Sequence, residues 1–311
     1  MIKEFLASKS TLEYFYIITG IILWLYAYMT LKDEKHEARI GTAIFWFALG
    51  AIFVGGKWLP PVISGILVVV VALLAGLGKI GKGTYFSTTL EFQQKRRKEL
   101  GNKLLAPIVL ISGTAIVFAL AKLHPLVGLG VGSVIALVVV KFYTPKDSFV
   151  HILDSGRETS DRLGWALVLP PYLAALGALF NKAGVGEVVS ELVKAIFPVN
   201  TPLGAILAYA FGMAFFTIIM GNAFAAFAVI TSGIGVPLLI KAYGVNPAVA
   251  TALAMTAGYC GTLTTPMAAN FNIVPVALLD IKDKYKVIKV QLPMAIVLWI
   301  THIILMYVLL F

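Results

Sequence analysis

Long runs of apolar residues, separated by short segments that hold most of the charged residues, form the main pattern of this chain. A helix needs about 20 mostly apolar residues to cross a bilayer, so each run predicts a membrane-spanning helix. Two of the runs are much longer than one span. The predicted spans cover residues 11–31, 40–56, 60–78, 104–120, 126–142, 163–180 and 287–311, and the two longer stretches cover 202–240 and 247–279.

The stretch 247–279 is too long for one uninterrupted spanning helix. Its 33 residues would measure about 50 Å as a helix, against a hydrocarbon core of about 30 Å. Gly258, Gly261 and Pro266 lie near its middle, where glycine weakens a helix and proline removes a backbone donor. We therefore expect a broken helix, with two halves joined by unwound backbone that protein or water surrounds.

The stretch 202–240 is interrupted at Gly221 and Asn222, and neither of its arms contains a charged residue. A hairpin tip that emerged among lipid headgroups would normally carry more polar or charged residues. The pattern therefore predicts one re-entrant helical hairpin whose tip is held against the rest of the protein. Two simpler interpretations stay open: these two residues form a tight turn between complete spans, and Pro266 is an ordinary kink filled by packing.

Lysine and arginine are distributed unevenly over the loops, and cytoplasmic loops are enriched in these residues. With loops assigned to alternate sides, one side receives 18 of the 25 Lys and Arg, in segments 32–39, 79–103, 141–162 and 282–289. Both termini fall on the other side. We therefore expect about eight transmembrane spans in the plasma membrane of a prokaryote, with both termini extracytoplasmic. This topology requires that the hairpin returns to the side from which it enters and that the stretch 247–279 crosses the membrane once.

The composition excludes a soluble fold and several kinds of site. Hydrophobic residues make up 59% of the chain, charged residues 13%, and the mean hydropathy is +0.92. The net charge of +10 comes from loop residues, so it indicates topology rather than a nucleic-acid partner. The single cysteine, Cys260, excludes an internal disulfide, and the four histidines show no metal-ligand spacing. We expect an all-α, polytopic membrane protein without a resident metal or cofactor.

Three parts follow from this pattern. Residues 1–143 are predicted to form scaffold spans, and residues 163–311 are predicted to form a second part that contains the hairpin and the broken helix. Between them, residues 144–162 carry Phe149 and Ile152 at helical spacing among charged residues. This segment is predicted to be an amphipathic helix in the membrane interface.

The two interruptions place half-helix ends close to the bilayer midplane and predict a binding site there. Half-helix N-termini favour anions, and unwound carbonyls with Thr or Asn oxygens favour cations. Lys241 is the only charged residue from 201 to 279, so this segment lacks the carboxylate relay that is usual in proton coupling. Sodium is therefore the expected coupling ion, with Asn222 and Thr264 as its ligands. The candidate site residues are Gly221, Asn222, Ala223, Gly261, Thr262, Thr264, Thr265, Pro266, Asn270 and Asn272.

The GNAF tip between apolar arms, followed by GTLTTP and a half-helix, resembles one repeat of the ion-transporter superfamily, whose members include sodium-coupled divalent-anion transporters. The resemblance implies that Asn222 matches the Asn of a Ser-Asn-Thr tip and that Thr264 and Pro266 match a Thr-x-Pro loop. Gly221 and Ala223 stand where the tip of that superfamily carries hydroxyl groups. Dicarboxylate specificity is therefore not implied.

The segments GKWLPP, HILDSGR, MGNAFAAF and GYCGTLTTPMAANFNIVP resemble, over nearly the whole chain, an uncharacterised permease family, domain of unknown function 979, described as one subunit of a two-subunit 5-oxoproline transporter. This resemblance implies a secondary-transporter subunit that moves a small carboxylate by alternating access. Superfamily transporters contain two inverted repeats, whereas 1–143 contains neither a second tip nor a second Thr-x-Pro loop. The expected partners are the bilayer, the carboxylate and a second membrane subunit with the opposite repeat, or a second copy of this chain.

Two other functions stay open at this point. In a non-transporting structural or assembly subunit, the two breaks would be packing features only. An intramembrane enzyme is the less favoured alternative, because no nucleophile and base pair shows a local signature.

Overall fold

The computed structural model describes residues 6, 8–86, 88–145, 148–279 and 281–311. Within these ranges the secondary structure is helical, without a strand, and this confirms the all-α prediction. Residues 146 and 147 of the predicted interfacial segment, and residues 1–5 of the predicted scaffold, lie outside the described residues. The chain divides into two compact units, Met1–Gly164 and Trp165–Phe311.

The N-terminal unit contains seven described helices. Proline occupies the first helical positions of several of them, where its missing N–H costs nothing, and Ser or Thr side chains cap others. The helices are α1 (Lys9–Lys32), α2 (Arg39–Gly55), α3 (Pro61–Gly76), α4 (Leu90–Leu100), α5 (Ala106–Leu120), α6 (Pro125–Tyr143) and α7 (Phe149–Leu163), with a 3₁₀ turn at Gly101–Leu105 between α4 and α5.

Close backbone approach holds the apolar helices of this unit together. Helix α1 packs along α2, and α5 packs along α6. A Cβ atom on Gly20 would lie 2.7 Å from the carbonyl oxygen of Gly50, and one on Gly132 would lie 2.9 Å from the Cα of Ile111. Small residues allow this contact in membranes, where helix association depends on packing rather than on hydrophobic burial.

A 3₁₀ turn, Gly164–Leu167, lies at the boundary of the two units, and the C-terminal unit contains the two interrupted stretches. Its helices are α8 (Leu169–Lys182), α9 (Val185–Ile196), α10 (Pro202–Met220), α11 (Ala223–Ile230), which continues as a π-helical segment (Thr231–Lys241), α12 (Pro247–Thr262), α13 (Ala269–Asn272), α14 (Val274–Leu278) and α15 (Lys286–Leu310). Helix α8 starts later than the predicted span 163–180, because the consecutive prolines at 170 and 171 are tolerated only in a first turn.

The core of this unit surrounds α10. Tyr209, Met213 and Met220 of α10 are fully buried, together with Ile230 and Ile234 of the opposing arm. The Tyr209 hydroxyl also shares a hydrogen bond with the Thr231 hydroxyl, 2.7 Å away. The two arms of the predicted hairpin therefore pack against one another along α10, which itself contacts α12 and α15.

Six helices of the described residues are long and apolar enough to cross a membrane. They identify the chain as a polytopic helical membrane protein. Arg39–Gly55, Pro61–Gly76 and Ala269–Leu278 are apolar but shorter. The six are Ser10–Lys32, Leu90–Leu120 (which includes the 3₁₀ turn), Pro125–Tyr143, Pro202–Met220, Ala223–Lys241 and Lys286–Leu310.

Candidate functional site

The turn between α10 and α11 is held against the break in the second interrupted stretch. Gly221 closes α10 in the left-handed conformation, with φ +66°, and its N–H donates to the Thr217 carbonyl at 2.7 Å. A Cβ atom at Gly221 would lie 2.5 Å from the backbone of Met267. Only glycine fits both the backbone angle and this close approach. The structure therefore brings the tip of the hairpin onto the loop that follows α12.

Asn222 caps the half-helix α11. Its Oδ1 accepts hydrogen bonds from the N–H groups of Phe224 (2.9 Å) and Ala225 (3.4 Å). These donors fix the orientation of the amide, because only its oxygen can accept. The side-chain nitrogen has no hydrogen-bond partner among the described residues.

The second break is an unwound segment between Thr262, which ends α12, and Ala269, which starts α13. Asn272 stabilises it from inside: its Nδ2 donates to the carbonyls of Thr262 (2.7 Å) and Thr265 (2.6 Å), and the residue is fully buried. Unwound carbonyls in a membrane protein need such partners, because lipid supplies none. Asn272 therefore holds the unwound segment through its side-chain nitrogen.

The threonines of the second break also bond to nearby carbonyls. Thr264 donates to the Gly261 carbonyl at 2.9 Å. Thr265 is buried and donates to the Ile218 carbonyl of α10, also at 2.9 Å. The second of these bonds ties the break directly to the first arm of the hairpin.

A cavity of about 160 Å³ lies where the hairpin tip meets the second break. No charged residue lines it. Phe224, Tyr259 and Phe271 form an aromatic wall, with ring centroids 6.1 Å apart for the first pair and 6.3 Å for the second. The lining residues are Gly221, Asn222, Ala223, Phe224, Tyr259, Thr262, Met267, Ala269, Asn270 and Phe271.

Half of the predicted site residues share this cavity. Gly221, Asn222, Ala223, Thr262 and Asn270 line it. The other five do not.

Gly261 and Thr264 line a second cavity, of about 210 Å³, formed by α10, α12 and α15. Thr265 of the loop and Asn272 of α13 are buried, and Pro266 is exposed. The structure thus does not bring Asn222 and Thr264, the expected sodium ligands, to one cavity.

Two buried oxygen atoms, one on α10 and one on α13, lack hydrogen-bond partners among the described residues. They are Oγ1 of Thr217 and Oδ1 of Asn272. A Cβ atom at Gly258 would lie 3.3 Å from this Thr217 oxygen and 3.5 Å from the Cβ of Ala223, which places the hydroxyl beside the hairpin tip. Threonine and asparagine oxygens are ligands that suit a small cation. Thr217 was not predicted from the sequence, since one threonine in an apolar helix carries no distinguishing signal.

Comparison with known proteins yields one match. Residues 13–311 match a family described as "Protein of unknown function (DUF979)". No curated protein and no solved structure matches the chain. Because the match covers nearly the full length, the chain belongs to the DUF979 family.

Proposed function

We propose that this chain is a subunit of a secondary transporter for a small carboxylate, and that the cavity beside the hairpin tip is its substrate site. The observation that carries the proposal is the meeting of a half-helix N-terminus with an unwound loop in one uncharged cavity. The positive end of the α11 dipole would attract an anion, and the amide nitrogen of Asn222 would donate a hydrogen bond to it without carrying a charge.

The cavity favours 5-oxoproline or a molecule of similar size as the substrate. A carboxylate would accept from Asn222, and a flat ring would lie along the aromatic wall of Tyr259 and Phe271. Because the site contains no arginine or lysine, it would bind a single carboxylate more readily than a dianion. This agrees with the absence of hydroxyl residues at Gly221 and Ala223.

The membrane topology belongs to the same proposal. The chain would cross the membrane about eight times, with 202–240 as a re-entrant hairpin, 247–279 as a broken helix and both termini outside the cytoplasm of a prokaryote. Both arms of the hairpin contain 19 residues, so length alone also permits two full spans. What supports re-entry is the burial of Gly221 and Ala223 against protein, since a tip at the far surface would be solvated.

Sodium coupling and a partner subunit complete the proposal. The unpartnered oxygens of Thr217 and Asn272 are the groups that would hold the cation. The C-terminal unit supplies one hairpin and one broken helix, and transporters of the resembled superfamily use two such repeats. A second subunit with the opposite repeat, or a second copy of this chain, would supply the other half.

Uptake of labelled 5-oxoproline by cells that express the chain with its partner tests the proposal. Asn222→Asp keeps the helix cap but puts a negative charge beside the carboxylate. Two like charges about 4 Å apart repel by about 4 kcal/mol near a protein surface, so we expect uptake to fall at least about tenfold. Asn246→Asp is the matched control, because Asn246 caps α12 through the same 2.9 Å bond and lies outside the cavity.

The outcome separates transport from the structural alternative. If Asn222→Asp and Asn246→Asp take up substrate equally well, the cavity is not the substrate site. If uptake persists when this chain is omitted and its partner is kept, the chain is a structural subunit.

A further inference from the structure

A cluster of charged side chains is buried in the N-terminal unit, where α7 packs against the loops that follow α1 and α3. The side chains of Asp161 and His36 are 0% exposed and that of Arg157 is 4% exposed. Asp33 and Asp154 complete the cluster at 10% and 14%. An amphipathic interfacial helix does not require such burial of its charged residues. The cluster therefore needs an explanation of its own.

The charges of this cluster do not balance. Arg157 pairs with Asp154 at 3.0 Å and with Asp33 at 3.4 Å, and it also donates to the Thr84 carbonyl at 2.7 Å. These bonds use the terminal nitrogens of the guanidinium group, whereas its buried Nε has no hydrogen-bond partner among the described residues. Among the described residues, the only basic group within 4 Å of Asp161 is His36, with 3.9 Å between Nε2 and Oδ2. The cluster thus contains one guanidinium group and three carboxylates, and the most deeply buried carboxylate, Asp161, has no cationic partner of its own.

Two neutral donors bind the carboxyl group of Asp161. The indole N–H of Trp46 donates to Oδ1 at 2.6 Å, and the hydroxyl of Tyr85 donates to Oδ2 at 2.9 Å. The Tyr85 oxygen itself accepts from the N–H of Gly83 at 2.7 Å. A hydroxyl both donates and accepts, so Tyr85 can also accept a hydrogen from a protonated Oδ2. Tyr85 itself is partly exposed.

His36 does not take the proton in place of Asp161. Its Nδ1 accepts a hydrogen bond from the N–H of Ala38 at 3.1 Å, so the hydrogen of the neutral ring lies on Nε2. Burial lowers the pKa of His36, which keeps the ring neutral. At 3.9 Å its Nε2 is too far from Asp161 for a direct hydrogen bond.

We propose that Asp161 is a proton-binding site of the N-terminal unit, which takes up one exchangeable proton on Oδ2 opposite the hydroxyl of Tyr85. Burial raises the pKa of Asp161 to about 6, against the lowering effects of Trp46, Tyr85 and Arg157. Burial also raises the pKa of Tyr85, which keeps that hydroxyl a donor. The titratable and charged groups that face this site from the packed elements are Tyr26, Asp33, His36, Tyr85, Asp154 and Arg157.

The site gives this chain a titratable carboxylate, which the segment 201–279 lacks, and it does not depend on the proposed transport function. Asp161 lies on α7, and its hydrogen-bond partners lie on α2 and on the loop after α3. Proton binding therefore acts on the contacts that hold α7 in the unit. A change of pH near 6 would alter those contacts.

Infrared difference spectroscopy of the purified full chain, titrated from about pH 4 to about pH 8, tests this site. The wild type should show the carbonyl stretch of a buried carboxylic acid, which disappears with a midpoint at about pH 6. Asp161→Asn should lose this band. Asp283→Asn, which changes a partly exposed carboxylate paired with Lys289, should keep it unchanged.

Two further variants test the site even where Asp161→Asn does not fold. Tyr85→Phe removes a donor to the ionised carboxylate and should raise the midpoint, whereas Asp154→Asn removes a neighbouring negative charge and should lower it. Opposite shifts would not follow from a merely structural role. A band that persists in Asp161→Asn, a wild-type midpoint below about pH 4, or shifts in the same direction for both variants would overturn the proposal.

Discussion

The absence of a side chain at Gly221 allows the hairpin tip to contact the loop of the broken helix. Its left-handed backbone excludes most side chains, and the Met267 backbone fills the space where a Cβ atom would stand. Another glycine in the same unit, Gly244, has almost the same angle, with φ +67°, but nothing lies within 4 Å of its Cβ position. Substituting the two glycines separately therefore distinguishes the loss of stability due to the left-handed backbone angle from the loss due to the contact with Met267.

We predict that Gly221→Ala is more destabilising than Gly244→Ala. A left-handed non-glycine residue costs about 1–2 kcal/mol, and both variants share this term. Only Gly221→Ala also pushes the hairpin tip away from Met267. Thermal unfolding of the two purified variants measures the difference. Equal losses of melting temperature would mean that the tip and the loop are not in contact.

Among single residues, polar groups and glycines in apolar runs could be predicted from the sequence. Gly221, Asn222 and Thr262 stand out in that way and do line the cavity. The aromatic wall could not be predicted, because Phe and Tyr are frequent in membrane helices and the direction they face depends on helix rotation. The bonds of the Asn272 nitrogen to the Thr262 and Thr265 carbonyls could not be predicted either, because no sequence spacing reveals them.

At the scale of whole elements, the hairpin 202–240 is the feature on which the topology depends. Its two arms are each long enough to span, but its tip is buried against the loop after α12. A re-entrant hairpin and a pair of full spans return to the same side and differ only in where the tip lies. The depth of the tip is therefore the quantity to measure.

We predict that a cysteine at Phe224, next to the tip, is not accessible from the side of the membrane opposite to residue 201. Cys260 is the only cysteine, so Cys260→Ser provides a cysteine-free background. Phe224→Cys and Thr201→Cys, labelled with a membrane-impermeant maleimide from either side, give the comparison; both positions are exposed in the structure. Full labelling of Phe224→Cys from the side opposite to Thr201→Cys would show that the arms are two complete spans.

The positions of most helices could be predicted because apolar runs bounded by charges leave few alternatives in a bilayer. Helix α9 was not predicted, because its sequence contains Glu187, Glu191 and Lys194, and charged residues are typical of a loop between spans. The charged run of α4 lies in the segment 79–103, which was predicted to be a loop rather than to contain a helix. The π-helical segment contains Pro237, and a local widening of the helix there accommodates the missing backbone donor.

On the scale of the whole molecule, the two units contain different chemistry. The C-terminal unit has an uncharged cavity, formed by helix ends and an unwound loop. The N-terminal unit has a buried charged cluster that the sequence did not reveal, because the residues come from three separate segments. Membership of the DUF979 family establishes neither carboxylate binding by the cavity nor proton binding by the cluster. The central claim, that the cavity binds a small carboxylate, needs direct measurement.

Thermal unfolding of the purified chain with 5-oxoproline and other small carboxylates tests that claim most directly. A ligand at 100 times its Kd stabilises the folded state by about 2.7 kcal/mol, so a bound carboxylate should raise the melting temperature measurably. We predict this rise for the wild type and for Asn246→Asp, and its loss in Asn222→Asp and with the uncharged methyl ester of the ligand. An equal rise in Asn222→Asp, or no rise in the wild type with any carboxylate, would contradict the assignment of the cavity.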